Sequence, residues 1–401
     1  MEPLFEPIFT PEQLAEIKAY YLPHYIRSAV SPLVTLALLA FLLGGLNRPF
    51  YQGAQALASW MGRRGAFLRT APVSRILVRA MDRLWGEPGW GTALLFALFI
   101  DLFSKVLYAP SDVYFDYLLE HRHGMSAHTP LTYAVDTFKS WSISAVAAAT
   151  MVLGLYGLAR RLRNWWLVLG VPVALLMLVS AAIDPYRKRV YFDQTPLEAG
   201  PLRTRITGLM ARADIAFADV TVEKTSVASK RVQAYFAGQG PTRTIVLNDV
   251  LLKEFTEDEI LAAVAHEAGH VNEPQWPGRI AAACCLVGLL FVIDRLLRLA
   301  AARRWFGTTQ FADIRTLPLL SVLFFLLMTT AKPVSGAFSR EREREADRYA
   351  LRLTGDTATF RQMLVKAARV NKMDPEPPRW VILKGMSHPP IGERVAALPG
   401  P

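Results

Sequence analysis

Six stretches of this 401-residue chain are apolar over lengths that suit a lipid bilayer: 29–46, 90–109, 142–159, 165–183, 279–297 and 317–332. A hydrocarbon core about 30 Å thick takes roughly 20 such residues as a helix. Inside it every backbone N–H and C=O must be paired within the segment, so the runs are expected to be helices. One such run could be a buried helix of a soluble protein, but six in one chain argue for a membrane. Composition agrees, with 52% hydrophobic residues and a mean hydropathy of +0.23, above that of an ordinary cytosolic enzyme. The net charge of +11 comes from arginines clustered beside the apolar runs. That placement suits lipid headgroups and argues against a nucleic-acid partner.

The polar, acidic first 28 residues lack the basic region of a cleavable signal, so the first run is expected to stay as an anchor. Between the first two runs, 51–89 carries Arg63, Arg64, Arg69, Arg75, Arg79 and Arg83, too much charge for an easy span, and is expected to lie along the interface. The only cysteines, Cys284 and Cys285, are adjacent within an apolar run. They can build neither a disulfide framework nor a thiolate metal site, so any metal must use His and carboxylates.

The more polar portion runs over 184–277 and resumes over 339–401, so the last two spans interrupt one functional unit. Within it, 219–224 (DVTVEK), 232–237 (VQAYFA) and 243–247 (RTIVL) read as strands of a small antiparallel sheet. Thr256 and Glu259 form a capping-box pattern that opens a helix over ILAAVAHEAGHV, with Pro274 and Pro277 expected to end it. No internal repeat is visible.

On that helix stands His266-Glu267-Ala268-Gly269-His270. Four-residue spacing puts both imidazoles on one face, a turn apart, able to hold one metal ion. Glu267 sits beside the ion without binding it and can take a proton from water attacking a carbonyl. Catalytic zinc needs a third protein ligand, and candidates cluster in 339–347, where Glu341, Glu343, Glu345 and Asp347 all stand. On composition alone the same run reads as a solvated charged helix of paired Glu and Arg.

The two motifs together resemble the type I CAAX prenyl proteases and, more distantly, the heat-shock-linked membrane metalloproteases. In that family HExxH is followed by SRxxExxAD, matched here by Ser339, Arg340, Glu343, Ala346 and Asp347. The resemblance implies that Glu343 is the third zinc ligand and that Asp347 orients a ligand histidine. Further likeness covers most of the chain, in FTPEQLAEIKAYYLP (9–23), EHRHG (120–124), FDQTPLEAGPLRTRI (192–206) and TRTIVLNDVLL (242–252). Ser387-His388-Pro389-Pro390 with Glu393-Arg394 looks like the family's C-terminal pattern, which implies that His388 stabilises the oxyanion and that Arg394 holds substrate or a neighbouring acid. The family usually has Asn-Ala-Tyr on the strand before the catalytic helix, and this chain has Gln233-Ala234-Tyr235. That strand could pair with an extended peptide, or be an ordinary edge strand.

The expected fold is thus a mainly α-helical integral membrane protein with a small α+β zinc metallopeptidase domain inserted before the last two spans. It has six spans, or seven, the family's usual number, if the Arg-rich stretch holds one. Residues 1–183 would form an N-terminal membrane domain of four spans, and 184–401 the peptidase domain, interrupted by spans at about 279–297 and 317–332. Within the spans, Asp101 and Lys105 are spaced to pair across one turn, and snorkelling is one explanation for Lys105 and Asp294.

The expected function is a metalloendopeptidase with one zinc per chain acting on peptide or protein substrates at or within the membrane, the family's eponymous substrate being the prenylated CAAX tail. A non-catalytic zinc-binding scaffold or chaperone-like quality-control partner is opposed by the intact Glu267. A transporter is opposed by the lack of paired repeats. An Arg-rich, Lys-poor make-up hints at a bacterial source and hence an inner membrane. The positive-inside rule places the loops 47–89, 160–164 and 295–315 in the cytoplasm and the zinc site opposite, whereas resemblance to the eukaryotic enzymes implies a cytosolic site.

Overall fold

The computed structural model describes residues 9–64, 89–179, 193–238, 240–271, 276–308 and 310–399. Helix α1 (Pro11–Phe41) starts at a capping box in which Thr10 Oγ1 accepts from the Gln13 amide and Gln13 Oε1 from that of Thr10. It passes through a π-helical turn, Leu42–Leu46, into α2 (Asn47–Arg64). Then come α3 (Trp90–Asp112), which continues as π-helix over Val113–Leu119, α4 (Pro130–Arg161) and α5 (Trp165–Val179). After the more polar segment 193–271 come α9 (Trp276–Arg303) and α10 (Leu317–Thr354).

Each of the six apolar runs therefore lies in a helix as far as it is described. Five helices are long and apolar enough to cross a bilayer, and the sixth, Trp165–Leu178, is shorter among the described residues. Their outward surfaces carry exposed Leu33, Leu102, Val146, Leu175 and Phe324, the pattern of a lipid-facing wall. A seventh span in the Arg-rich stretch would fall on 65–88, outside the described residues.

The part of that stretch that is described, 51–64, does not read as a separate interfacial helix but prolongs the rod of α1. Tyr51 and Ala54 join Phe50 in packing on Ala93, Phe96 and Phe99 of α3, so an aromatic face outweighs the flanking charge. Lys105 Nζ donates to Asp101 Oδ2 at 2.7 Å and to the Trp141 carbonyl at 2.9 Å, the expected pair, tied also to α4. Asp294 does not snorkel. It is fully buried and accepts from Trp165 Nε1 at 2.9 Å and from Arg298, which clamps α5 to α9. The basic loops meet at one end, where Arg160 donates to the Ala312 carbonyl, Arg298 to that of Arg163 and Asn47 to that of Arg315. Helix α10 leads from that end toward the catalytic motif.

Among the described residues the sheet has four strands, β1 (Gln194–Pro196), β2 (Asp219–Glu223), β3 (Ala234–Ala237) and β4 (Thr244–Asn248), in the order β1-β2-β4-β3. It is mixed, not antiparallel as expected, because β4 runs parallel to β2. The connection 224–233 carries the chain outward, β3 takes the edge, and β4 returns between them as the fully buried centre. Strand β1, three residues ending in proline, is too short to announce itself in sequence.

Helices α6 (Pro201–Arg212), α7 (Asp249–Glu254), α8 (Glu257–Val271) and α11 (Thr357–Val370) cover the sheet. Their core joins Ile206, Leu247, Ile260, Val264 and Phe360 with Phe9 and Ile17 from the start of the chain. Helix α8 ends at Val271, and Pro274 lies outside the described residues. Pro277 is the second residue of α9, so it opens the next helix, where its missing N–H costs nothing.

Catalytic helix α8 crosses α10 at Gly269. A Cβ built there would stand 2.7 Å from Ala346 Cα and 3.0 Å from its Cβ, so only glycine allows this approach. Gly269→Ala is expected to cost about 1–3 kcal/mol through forced separation of the helices, read as a lower thermal midpoint in detergent. Gly208→Ala in α6, where nothing lies within 4 Å of the added carbon, should leave the midpoint unchanged or raise it. Equal midpoints for the two variants would show that the crossing is not tight.

Candidate metal centre and active site

Helix α8 begins at the expected capping box, with the Thr256 amide donating to Glu259 Oε2 at 2.8 Å and the Glu259 amide to Thr256 Oγ1 at 3.3 Å. Its apolar residues Ile260, Val264, Ala265 and Ala268 face the core. That orientation turns His266 and His270 together toward α10, with ring centroids 4.9 Å apart and planes at 86°.

Glu343, past the end of the apolar run 317–332, is brought beneath them by the Gly269 crossing. Its Oε2 lies 3.4 Å from His266 Nε2 and its Oε1 3.4 Å from His270 Nε2. One ligand atom from each of the three lies within 4.8 Å of the others. Glu343 Oε2 is buried and accepts no hydrogen bond, a costly state for a carboxylate oxygen that a cation among the three would relieve. Two imidazole nitrogens and one carboxylate oxygen also leave a tetrahedral ion its fourth position, so the residues fit a metal.

The surroundings select among the acids of 339–347. Glu341 and Glu345 are exposed, and Glu341 is engaged by Arg344 and Arg348. Glu343 and Asp347 are buried. His266 Nδ1 lies 2.9 Å from Asp347 Oδ1, so the imidazole donates there and presents Nε2 to the site. Arg394, from α12 (Ile391–Ala396), holds Asp347 in turn through Nε to Oδ2 at 2.9 Å and Nη2 to Oδ1 at 2.6 Å, a bidentate grip. Arg394 is buried and faces this acid, not an open cleft. His388 is exposed, with Nδ1 3.0 Å from Glu343 Oε1.

Titration follows from these contacts. Burial pulls His266 down, but the neighbouring carboxylates of Asp347 and Glu343 outweigh that and push it up to about 9 in the metal-free protein. Burial would raise Glu343, yet the close approach of His266, His270 and His388 holds it well below the usual carboxylate range. Glu267, beside the site, is raised chiefly by burial, which suits a group that must accept a proton near neutral pH.

Gln233 immediately precedes β3. Its amide donates to Asn248 Oδ1 at 3.0 Å and its carbonyl accepts from the Asn248 amide at 3.1 Å. Ala234 and Tyr235 lie in the strand, and the Tyr235 hydroxyl donates to Glu223 at 2.9 Å. With Gln233 facing β4, antiparallel alternation directs the main-chain groups of Ala234 and Phe236 to the outer edge.

Arg340 has a role that motif reading missed. It donates to the carbonyls of Ile382 and Met386 at 3.1 and 2.7 Å. Beside it a Cβ on Gly336 would fall 2.8 Å from Gly385 Cα, so the segment leading to His388 lies directly on α10. The signal was present as a stripe: Gly336, Arg340, Glu343 and Asp347, all buried, recur at helical spacing.

The model of peptidase family M48 matches residues 196–401, and that of the CAAX prenyl protease N-terminal region, five membrane helices, matches 2–187. An uncharacterized metalloprotease, YhfN of Bacillus subtilis, is 29% identical over 75% of this chain and 71% of its own length. A CAAX prenyl protease 1 homolog of Arabidopsis thaliana is 27% identical over 98% of this chain and 89% of its own. The crystal structure of S. mikatae Ste24p superposes with a TM-score of 0.79 at 21% identity, covering all of this chain and 91% of that one, which shows a shared fold. With a family model spanning more than half of its length, this chain belongs to peptidase family M48 and is an integral membrane metalloendopeptidase.

Proposed function

We propose that the metal is zinc, held by His266, His270 and Glu343, and that the enzyme cleaves extended, membrane-associated polypeptides laid along β3, prenylated tails among them. The observation that carries the reading is the convergence of both histidines on the buried Glu343 carboxylate, His266 at Oε2 and His270 at Oε1, with no hydrogen bond formed at Oε2 among the described residues. The prenylated class is supported by the relatives' names and by helices that set the peptidase, residues 184–401, on a membrane portion, 1–183.

When bound, zinc supplies Lewis acidity that polarises the scissile carbonyl and acidifies water. Glu267 takes a proton from the water as its oxygen bonds to the carbonyl carbon, and delivers it to the leaving nitrogen as the C–N bond breaks. His388, exposed beside Glu343, is placed to donate to the oxygen where charge develops. Asp347 and Arg394 keep the His266 imidazole in the tautomer that binds metal. Strand β3 presents the substrate main chain by edge pairing.

The test is cleavage of a quenched farnesylated CAAX peptide beside its unprenylated twin by detergent-purified protein. Glu267→Gln should retain zinc and fold while losing about 10²–10⁴-fold in turnover, and undiminished hydrolysis would refute its role. A farnesyl preference would establish the prenylated class; equal rates would move the substrate to other membrane polypeptides. Glu343→Ala should lower zinc stoichiometry well below one per chain, and full occupancy there would reopen the choice of third ligand.

A pH dependence follows from His266, whose raised value means that metal-free protein holds a proton there below about 9. Zinc must displace that proton. Apparent zinc affinity, measured by chelator competition, should therefore rise about tenfold per pH unit from neutral toward 9 and level off above. A flat profile would show that the empty site carries no such proton.

A further inference from the structure

We propose that Glu120, where the π-helical extension of α3 ends, is a positioning residue for substrate: through Arg231 it sets the place of edge strand β3 beside the metal centre. The inference rests on reading β3 as the substrate strand.

Arg231 stands two residues before Gln233 and is held from both directions. Its Nη2 donates to Glu120 Oε1 at 2.9 Å and to the Tyr20 hydroxyl of α1 at 2.6 Å, and that hydroxyl donates to Glu120 Oε1 at 2.5 Å. Tyr20 and Glu120 are buried. Burial and the neighbouring carboxylate keep the Tyr20 hydroxyl protonated, so it remains a donor. On the peptidase side the Arg231 carbonyl accepts from Asn248 Nδ2 at 2.7 Å, and the Val232 amide donates to Asn371 Oδ1 at 2.8 Å. A second tie lies just upstream, where the Lys230 amide donates to the Met125 carbonyl and the Ala127 amide to that of Ala228. The segment entering β3 is thus suspended between the membrane helices and the sheet.

The metal ligands depend on other contacts: the Gly269 crossing, the Arg340 clamp and the Arg394–Asp347 pair, none of which involves Arg231. Without Glu120 the half-exposed guanidinium keeps only the Tyr20 hydroxyl and turns toward water, loosening the anchor of residues 231–233. The metal stays, and the strand that pairs with substrate shifts.

The experiment compares Glu120→Gln, Glu120→Asp and Phe236→Pro in full-length, zinc-loaded protein, measuring KM, kcat, zinc content and thermal midpoint on one quenched peptide. Phe236→Pro deletes an outward main-chain donor of β3 without touching Arg231. Glu120→Gln should raise KM on the order of tenfold, the scale of one charge-assisted hydrogen bond, with kcat and zinc retained. Glu120→Asp should restore part of the loss. An unchanged KM in Glu120→Gln, with Phe236→Pro raised, would overturn the positioning role and leave the strand reading standing. Unchanged KM in Phe236→Pro would overturn both. A fall of kcat and zinc in step with KM in Glu120→Gln would reduce Glu120 to a structural support.

Discussion

The close crossing of α8 and α10 at Gly269 and Ala346 is the contact on which the rest of the site depends. Two histidines one turn apart can hold an ion only weakly, and Glu343, the proposed third ligand, sits on a helix whose other end is the apolar run 317–332. A methyl group at Gly269 would meet main-chain atoms of α10, so helix separation and ligand separation are one quantity. Protein interiors are close-packed and do not absorb such a group without a shift. Glycine here is therefore a requirement of geometry, not of backbone conformation.

Electrostatics complete what packing begins. Two carboxylates, Glu343 and Asp347, are buried within one turn of each other, an arrangement that repels unless cations are interposed. Arg394 answers Asp347 with two hydrogen bonds, and the imidazoles of His266 and His270 face Glu343. Arg394 thus brings the end of the chain to the middle of α10, and Arg340 anchors the loop before it. Charge compensation in a poorly hydrated space explains why three distant segments meet at one point.

Membrane and peptidase portions are not independent bodies in this fold. Phe9 and Ile17, which precede the first apolar run, belong to the same core as the catalytic helix. The carboxylate of Glu120 and the hydroxyl of Tyr20 reach the residue that leads into the edge strand. Helix α10 runs unbroken from the apolar run 317–332 to Glu343, so its register fixes where that carboxylate stands relative to the membrane portion.

What the sequence determined by itself are features fixed by local repeat or by solvent. Six apolar runs had to be helices because hydrocarbon offers backbone groups no partner. The Thr256–Glu259 cap, the Asp101–Lys105 pair and the facing of His266 and His270 follow from helical spacing alone. Residue spacing left open, and tertiary structure decided, the parallel run of β4 beside β2, the choice of Glu343 over its exposed neighbours Glu341 and Glu345 as the acid beneath the histidines, which family resemblance alone implies, and the direction of Arg394 toward Asp347. Residue spacing specifies which side chains share a face within one element. Which faces meet, and at what distance, is set by packing between elements far apart in the chain, and a glycine that admits a neighbouring backbone looks in sequence like any other.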